Sequence, residues 1–190
     1  MATQPRNPLV NRMLRAARLD LALYREVAED ETATTEAILV VVLAAVASGI
    51  GSAIGFYSSG VFSGLASGIV SSLVGWAIMT FVTYLVVRMM FGSGVSYQNL
   101  LRPLGFARSP GILTVFGFVL FFGGLLRFLV MIWTLVTWII AVREGARVST
   151  GEAVATGIVS IVGFILIMRA VGIMFGTGYG LFYRGAATLR

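Results

Sequence analysis

The sequence predicts an all-α, polytopic integral membrane protein with five transmembrane helices and an N-terminal amphipathic helix. Of its 190 residues, 58% are hydrophobic and only 12% are charged, whereas soluble domains carry roughly a quarter charged residues. Several uncharged stretches reach the ~20 residues needed to cross the hydrocarbon core of a bilayer. The Arg residues gather in the segments between those stretches, as the positive-inside rule describes.

The chain divides into three parts on this pattern. Residues 1–35 form an amphipathic segment predicted to be cytoplasmic, 36–176 form the membrane domain, and 177–190 form an interfacial C-terminal tail. Within residues 9–28, apolar side chains recur every three or four positions, as in a helix with one apolar face: Val10, Leu14, Ala17, Leu21 and Tyr24. This helix either lies on an anionic membrane surface or packs against the protein's own cytoplasmic loops.

Five spans are predicted, at about 37–56, 65–87, 109–124, 126–142 and 153–174. The third and fourth come from one apolar stretch, residues 111–142, in which Arg127 is the sole charge. One helix of that length would measure about 48 Å against a hydrocarbon core of ~30 Å, and would bury Arg127 near the midplane. A hairpin at Gly123-Gly124 avoids both problems. A single long helix, which gives four spans, remains the alternative.

The distribution of Arg residues orients the predicted spans. Of the 14 cationic residues, four would lie outside (Arg127, Arg169, Arg184 and Arg190) and the other ten inside. The positive-inside rule then places the N-terminus in the cytoplasm and the C-terminus outside. The expected location is a prokaryotic cytoplasmic membrane.

Residues that usually carry chemistry are scarce. The chain has no His and no Cys, which excludes thiolate catalysis, imidazole acid–base chemistry and Cys/His metal sites. All eight acidic residues fall outside the predicted hydrophobic cores, where proton relays would need them. We therefore expect no enzymatic activity, no catalytic residue, no cofactor and no metal. Nucleic acid is not an expected partner, because the Arg residues flank hydrophobic spans.

Small residues recur at four-residue steps in the first two spans and the segment between them. Such steps place small residues on one helix face, where another backbone can approach closely. The stripe predicts packing between the protein's own first two spans, with a homodimer face as the alternative. The candidate helix-packing residues are Gly51, Gly55, Gly60, Gly64, Gly68 and Ser72.

Two segments carry a resemblance to a known family. They are RMLRAARLDLALYREVAEDETATTEAILVVVLAAVASGIG and, after the second span, SYQNLLRPLGFARSPGIL. Over about residues 11–175 the chain resembles the Yip family (Ypt/Rab-interacting proteins, sharing the Yip-one domain), in its short prokaryotic form. The most specific positions are Tyr24, the acidic and Thr run 29–35, and the series Leu101, Gly105, Phe106, Ala107 and Pro110.

The resemblance implies five membrane helices and a cytoplasmic N-terminus. Eukaryotic members bind small GTPases and act in vesicle traffic and in Golgi or endoplasmic-reticulum organisation. The DLYGP motif typical of those members is absent from this sequence, as is their longer N-terminal region. This departure puts small-GTPase binding in doubt.

Together these observations predict a non-enzymatic membrane-organising or protein-interaction scaffold. The alternatives are an accessory subunit of a larger membrane complex and a small-solute channel or transporter. The expected partners are the lipid bilayer and other membrane proteins, with self-association as a further possibility. The candidate cytoplasmic interaction loop follows the second span and comprises Tyr97, Leu101, Arg102, Gly105, Phe106, Arg108 and Pro110.

Overall fold

The computed structural model describes residues 8–53, 61–92, 94–118 and 123–187, and every regular element in those ranges is helical. Within these ranges, seven α-helices and one 310 segment follow one another. They are α1 (Pro8–Ala17), α2 (Leu21–Glu29), α3 (Ala33–Ala53), α4 (Val61–Phe91), α5 (Tyr97–Phe106), the 310 segment (Ser109–Phe118), α6 (Gly123–Ala146) and α7 (Thr150–Ala187).

The structure divides the predicted N-terminal helix into α1 and α2. Leu19 adopts a left-handed φ of 63° between them, and Asp20 caps α2 by accepting hydrogen bonds from the backbone N–H groups of Ala22 and Leu23. A continuous helix over 9–28 is therefore wrong. The expected single apolar face is divided as well, because Tyr24 is fully buried whereas Leu14 is about half exposed.

Four helices are long and apolar enough to cross a membrane among the described residues. They are Ala33–Ile50, Gly68–Phe91, Gly123–Ala146 and Thr150–Ile173. The prediction of a spanning α-helix at 109–124 is not confirmed. Its described part is the 310 segment, whose ten residues reach about 20 Å at ~2.0 Å per residue. Residues 119–122 lie outside the described ranges.

The 310 segment lies between α3 and α6. At its start, Thr137 Oγ1 donates to the carbonyl of Ala107 at 2.8 Å. At its end, a Cβ placed on Gly117 would lie 2.9 Å from Arg127 Nε. Residue numbers therefore rise along the segment as they fall along α6, so the two run antiparallel. A Cβ on Gly123 would collide with the Gly117 carbonyl oxygen, so the end of the 310 segment contacts the start of α6.

Helices α1, α2 and α5 form a cap at one end of the spans. α5 meets the start of α3 so closely that a Cβ on Gly105 would lie 2.7 Å from Ala37 Cβ. It meets the end of α6 in the same way, where a Cβ on Gly145 would lie 2.8 Å from the Asn99 carbonyl oxygen. The largest buried side chains gather at this junction and include Tyr24, Phe106, Leu23, Leu100, Val27 and Val40.

Candidate functional site

A buried arginine holds the cap to the first span. Arg102 is 4% exposed, and its Nε donates to Thr34 Oγ1 at 2.9 Å. Its Nη1 donates to the Ala28 carbonyl at 3.0 Å and its Nη2 to Gln98 Oε1 at 3.3 Å. The acceptors are neutral and come from three parts of the chain: α2, the start of α3 and α5 itself. The planar five-donor guanidinium suits such a junction.

A second arginine gathers the acidic residues of the cap. Arg12 bonds to Glu26 at 2.9 Å and to both Asp30 and Glu36 at 2.8 Å. Burial alone would lower the pKa of Arg12, but its hydrogen bonds to Glu36, Asp30 and Glu26 raise it on balance. These carboxylates therefore neutralise an internal cation. Their position also explains how an acidic run can follow an Arg-rich helix.

Two aspartates of the cap are held in their charged form. The hydrogen bond from Arg15, at 2.7 Å, keeps the pKa of Asp20 below its ordinary value of 3.8. At Asp30, the hydrogen bonds of the Thr32 side chain and then of Arg12 lower the pKa in the same way. Both groups thus link the stability of the cap to pH.

Tyr24 lies at the centre of the cap and not on its surface. Its side chain is fully buried, and its hydroxyl donates to the Ala16 carbonyl at 3.0 Å. Burial raises the pKa of the Tyr24 hydroxyl, so it remains a donor at neutral pH. The hydrogen bond ties α2 back to α1 across the break at Leu19.

The predicted interaction loop is mostly buried. Four of its seven residues are inside the structure, and the other three are partly buried, namely Tyr97, Leu101 and Arg108. The buried four are Arg102, Gly105, Phe106 and Pro110. They are buried because α5 docks against α3 and α6, which leaves less of this segment on the surface. A partner contact by this part of the chain stays a prediction.

The predicted helix-packing stripe lies only partly within the described residues. Gly55 and Gly60 lie outside the described residues, while Gly51 and Gly64 fall within α3 and α4. No described residue comes within 4 Å of a Cβ placed on Gly68. The last member of the stripe, Ser72, is partly buried and lines the intramembrane cavity described below. A packing role for the stripe stays a prediction.

Several other glycines of the described residues make close contacts. Gly105 contacts α3 and Gly145 contacts α5, as described above. A Cβ on Gly157 of α7 would lie 2.9 Å from the Trp138 ring of α6. These glycines stand singly and not in a four-residue series. Sequence periodicity gave no signal for them.

A cationic cavity of about 600 Å³ opens where the cap meets the start of α7. Arg25 and Arg143 both pair with Glu144, whose side chain is 3% exposed, and Arg147 pairs with Glu29. Ser149 Oγ accepts from the Glu152 N–H at 3.3 Å, and Glu152 Oε2 accepts from the Ser149 N–H at 2.7 Å. This reciprocal capping box starts α7. Three cations and one carboxylate line the cavity, so its lining has a net positive charge.

A second cavity, the intramembrane cavity, has a volume of about 660 Å³ and lies among α3, α4, the 310 segment, α6 and α7. Most of its lining is apolar, with the indole of Trp138 on one wall. Hydroxyls of Ser48, Thr114 and Thr134 also face it, and Arg108 and Arg127 contribute charge. Among the described residues, no group of three or more acidic side chains is arranged so that it could hold a metal ion.

The helices and the cap define an integral membrane protein whose spans carry a packed polar cap at one end. A family model described as the Yip1 domain matches residues 22–172. This match covers most of the chain, so the protein belongs to the Yip1-domain family, and the resemblance noted in the sequence is confirmed. Searches of curated proteins and of solved structures each found no match.

Proposed function

We propose that this protein is a non-enzymatic membrane scaffold of the Yip type, which presents the outer surface of its cap to other membrane proteins. The main support for this proposal is the pairing of exposed arginines around the cationic cavity. The side chains of Arg25 and Arg147 are 68% and 79% exposed, yet each pairs with a carboxylate from a distant part of the chain. Such cations are held in place and also accessible, as a recognition surface requires.

The proposed partner surface carries acidic groups. The cavity lining has a net positive charge, and arginine is the residue that proteins favour for paired recognition of carboxylates and phosphates. Small GTPases are not proposed as partners, because the motif of the eukaryotic members is missing from this chain. Other membrane proteins, or a second copy of the chain, fit the proposal.

The proposed topology has five crossings. α4 ends beside the cap, with the ring of Tyr84 at 6.3 Å from that of Tyr97, and α6 ends there too, with Gly145 against Asn99. If α6 spans the bilayer, its first residue, Gly123, lies on the far side. The chain between α4 and α6 must then cross once, and the 310 segment, antiparallel to α6, supports that path.

We place the cap in the cytoplasm, which puts the C-terminus outside, and propose a prokaryotic cytoplasmic membrane as the location. The charge of the cap end supports this orientation, since cytoplasmic segments are enriched in Arg. The described Arg residues of the cap and of the adjoining helix ends are Arg12, Arg15, Arg18, Arg25, Arg88, Arg102, Arg143 and Arg147.

Cross-linking in native membranes, followed by purification of the tagged full-length protein, tests the scaffold function. Arg147→Gln should reduce recovery of cross-linked partners several-fold, because it removes an exposed cation from the cavity. Arg18→Gln is the matched control, since it removes one exposed cation of the cap that does not line the cavity. Equal recovery from both variants and from the wild type would contradict the proposed surface. Partners recovered in fixed stoichiometry would instead indicate an accessory subunit.

A further inference from the structure

The intramembrane cavity has the size and lining of a ligand site. Its volume of about 660 Å³ lies within the ~300–1,000 Å³ that small-molecule pockets occupy. Its walls are mainly apolar, and the polar groups are few. That composition suits a ligand with a long apolar part and a small polar part.

Arg108 gives the cavity an uncompensated charge. No described residue offers its guanidinium a carboxylate or a hydrogen-bond acceptor, in contrast to Arg12 and Arg102. A guanidinium stays protonated at neutral pH, and a partly buried cation without a counter-charge is unfavourable. An anion bound in the cavity would remove that cost.

Arg108 lies on the cap side of the cavity, whereas Arg127, the other arginine of the lining, lies near the start of α6. Arg108 directly precedes the 310 segment, next to Ala107, whose carbonyl accepts from Thr137 in the second half of α6. Further along α6 the cavity is bordered by Met131 and Leu135, which are 60% and 47% exposed. The site therefore offers a cation near the cap and an apolar wall extending toward the bilayer centre.

We propose that this cavity binds an anionic glycerophospholipid, with the lipid phosphate paired to Arg108 and an acyl chain along the apolar wall of α6. Guanidinium and phosphate groups form short, charge-assisted hydrogen bonds. This site is separate from the cap surface and does not depend on the scaffold function.

Quenching of tryptophan fluorescence by lipids with brominated acyl chains tests the site, because Trp138 lines the cavity. The purified full-length protein in detergent should bind brominated phosphatidylglycerol saturably and brominated phosphatidylcholine much more weakly. Arg108→Gln should weaken phosphatidylglycerol binding at least about tenfold, which corresponds to the loss of one charge-assisted pair. Ala45→Phe, which fills the cavity and leaves Arg108 in place, should weaken it as well.

The matched control is Arg88→Gln, which removes an exposed cation near the same end of the spans and should change binding less than twofold. Equal binding of the two lipids to the wild-type protein would overturn the proposal without any variant. Wild-type affinity in Arg108→Gln would also overturn it. If inorganic phosphate alone raised the melting temperature as much as phosphatidylglycerol, the site would be one for a free anion and the lipid assignment would be wrong.

Discussion

At the scale of single residues, Arg102 and Arg108 differ in whether the protein supplies hydrogen-bond acceptors for their guanidinium groups. Arg102 meets three neutral acceptors, so its charge is solvated by the protein. Arg108, six positions later, faces a cavity and has no such acceptors among the described residues. The sequence placed both on one interaction loop, because nothing in their spacing distinguishes them.

Replacing Arg102 by Lys should destabilise the protein despite conserving its charge. A single ammonium cannot reach the Thr34 hydroxyl, the Ala28 carbonyl and Gln98 together, so at least one buried polar group loses its partner. We expect a loss of about 1–3 kcal/mol in the free energy of unfolding, measured by denaturation in detergent. Arg88→Lys, at an exposed cation, should be nearly neutral. Equal stability of the two variants would contradict the role given to Arg102.

Adding one methyl group at Gly105 should also destabilise the protein. An Ala Cβ there would lie 2.7 Å from Ala37 Cβ and 3.2 Å from the Ala37 backbone, so α5 would have to move away from α3. Overpacking of this kind costs about 1–3 kcal/mol, seen as a lower melting temperature in detergent. Gly68→Ala is the control, because no described residue lies within 4 Å of its new methyl group. A melting temperature for Gly105→Ala at or above that of Gly68→Ala would disprove the close contact.

At the scale of elements, the cap is stabilised by ion pairs that respond to pH. The pKa values of Asp20 and Asp30 lie below their ordinary value of 3.8 when the protein is folded. The stability that they contribute is therefore complete above that value, and is lost as the pH falls below about 4 through the folded-state pKa values. The partial exposure of both side chains limits its size.

Replacing Asp30 by Asn should remove part of this pH dependence. The variant should be less stable than the wild type at pH 7, because Arg12 and Thr32 lose a charged acceptor. As the pH falls below about 4 the difference should shrink progressively, because Asp30 of the wild type takes up a proton first in the unfolded protein and then, nearer its lowered folded-state pKa, in the folded protein as well. Thermal unfolding of both proteins in detergent between pH 7 and pH 3 measures this difference in stability. A difference that stays constant over this range would contradict the linkage.

The elements were only partly predictable from the sequence. Long uncharged stretches predicted the spanning parts of α3, α4, α6 and α7, since length and polarity decide whether a helix can span, but not the full lengths of α4, α6 and α7. The break at Leu19 was missed because the apolar period continues through it, although Asp20 is a recognisable cap residue. The 310 segment was predicted as an α-helix. Periodicity does not register local bonds such as that from Thr114 Oγ1 to the Gly111 carbonyl at 2.6 Å.

At the scale of the whole molecule, the number of membrane crossings determines on which side of the membrane α6 begins. The wild type has no Cys, so a single introduced cysteine can be labelled without background. Ser96→Cys, beside α5, and Gly124→Cys, at the start of α6, both lie at exposed positions. With five crossings, membrane-impermeant maleimide should reach these two positions from opposite sides of sealed, oriented vesicles.

Labelling of both positions from the same side would contradict the proposed crossing between α4 and α6. Gly151→Cys, exposed at the start of α7, provides the reference, since α7 begins beside the cap. It should behave like Ser96→Cys in either topology. A difference between those two would show instead that the labelling conditions do not report sidedness.

The pairs Arg25–Glu144 and Arg147–Glu29 join residues 119 and 118 positions apart in the chain. Ribosomes add about 5–20 residues per second, so about 6–24 s separate the synthesis of Arg25 from that of Glu144. During that interval α2 has been synthesised but the end of α6, against which it packs, has not, while the intervening spans enter the membrane. Translation speed, and not only the intrinsic folding rate of the short helices, therefore sets when the cap can close.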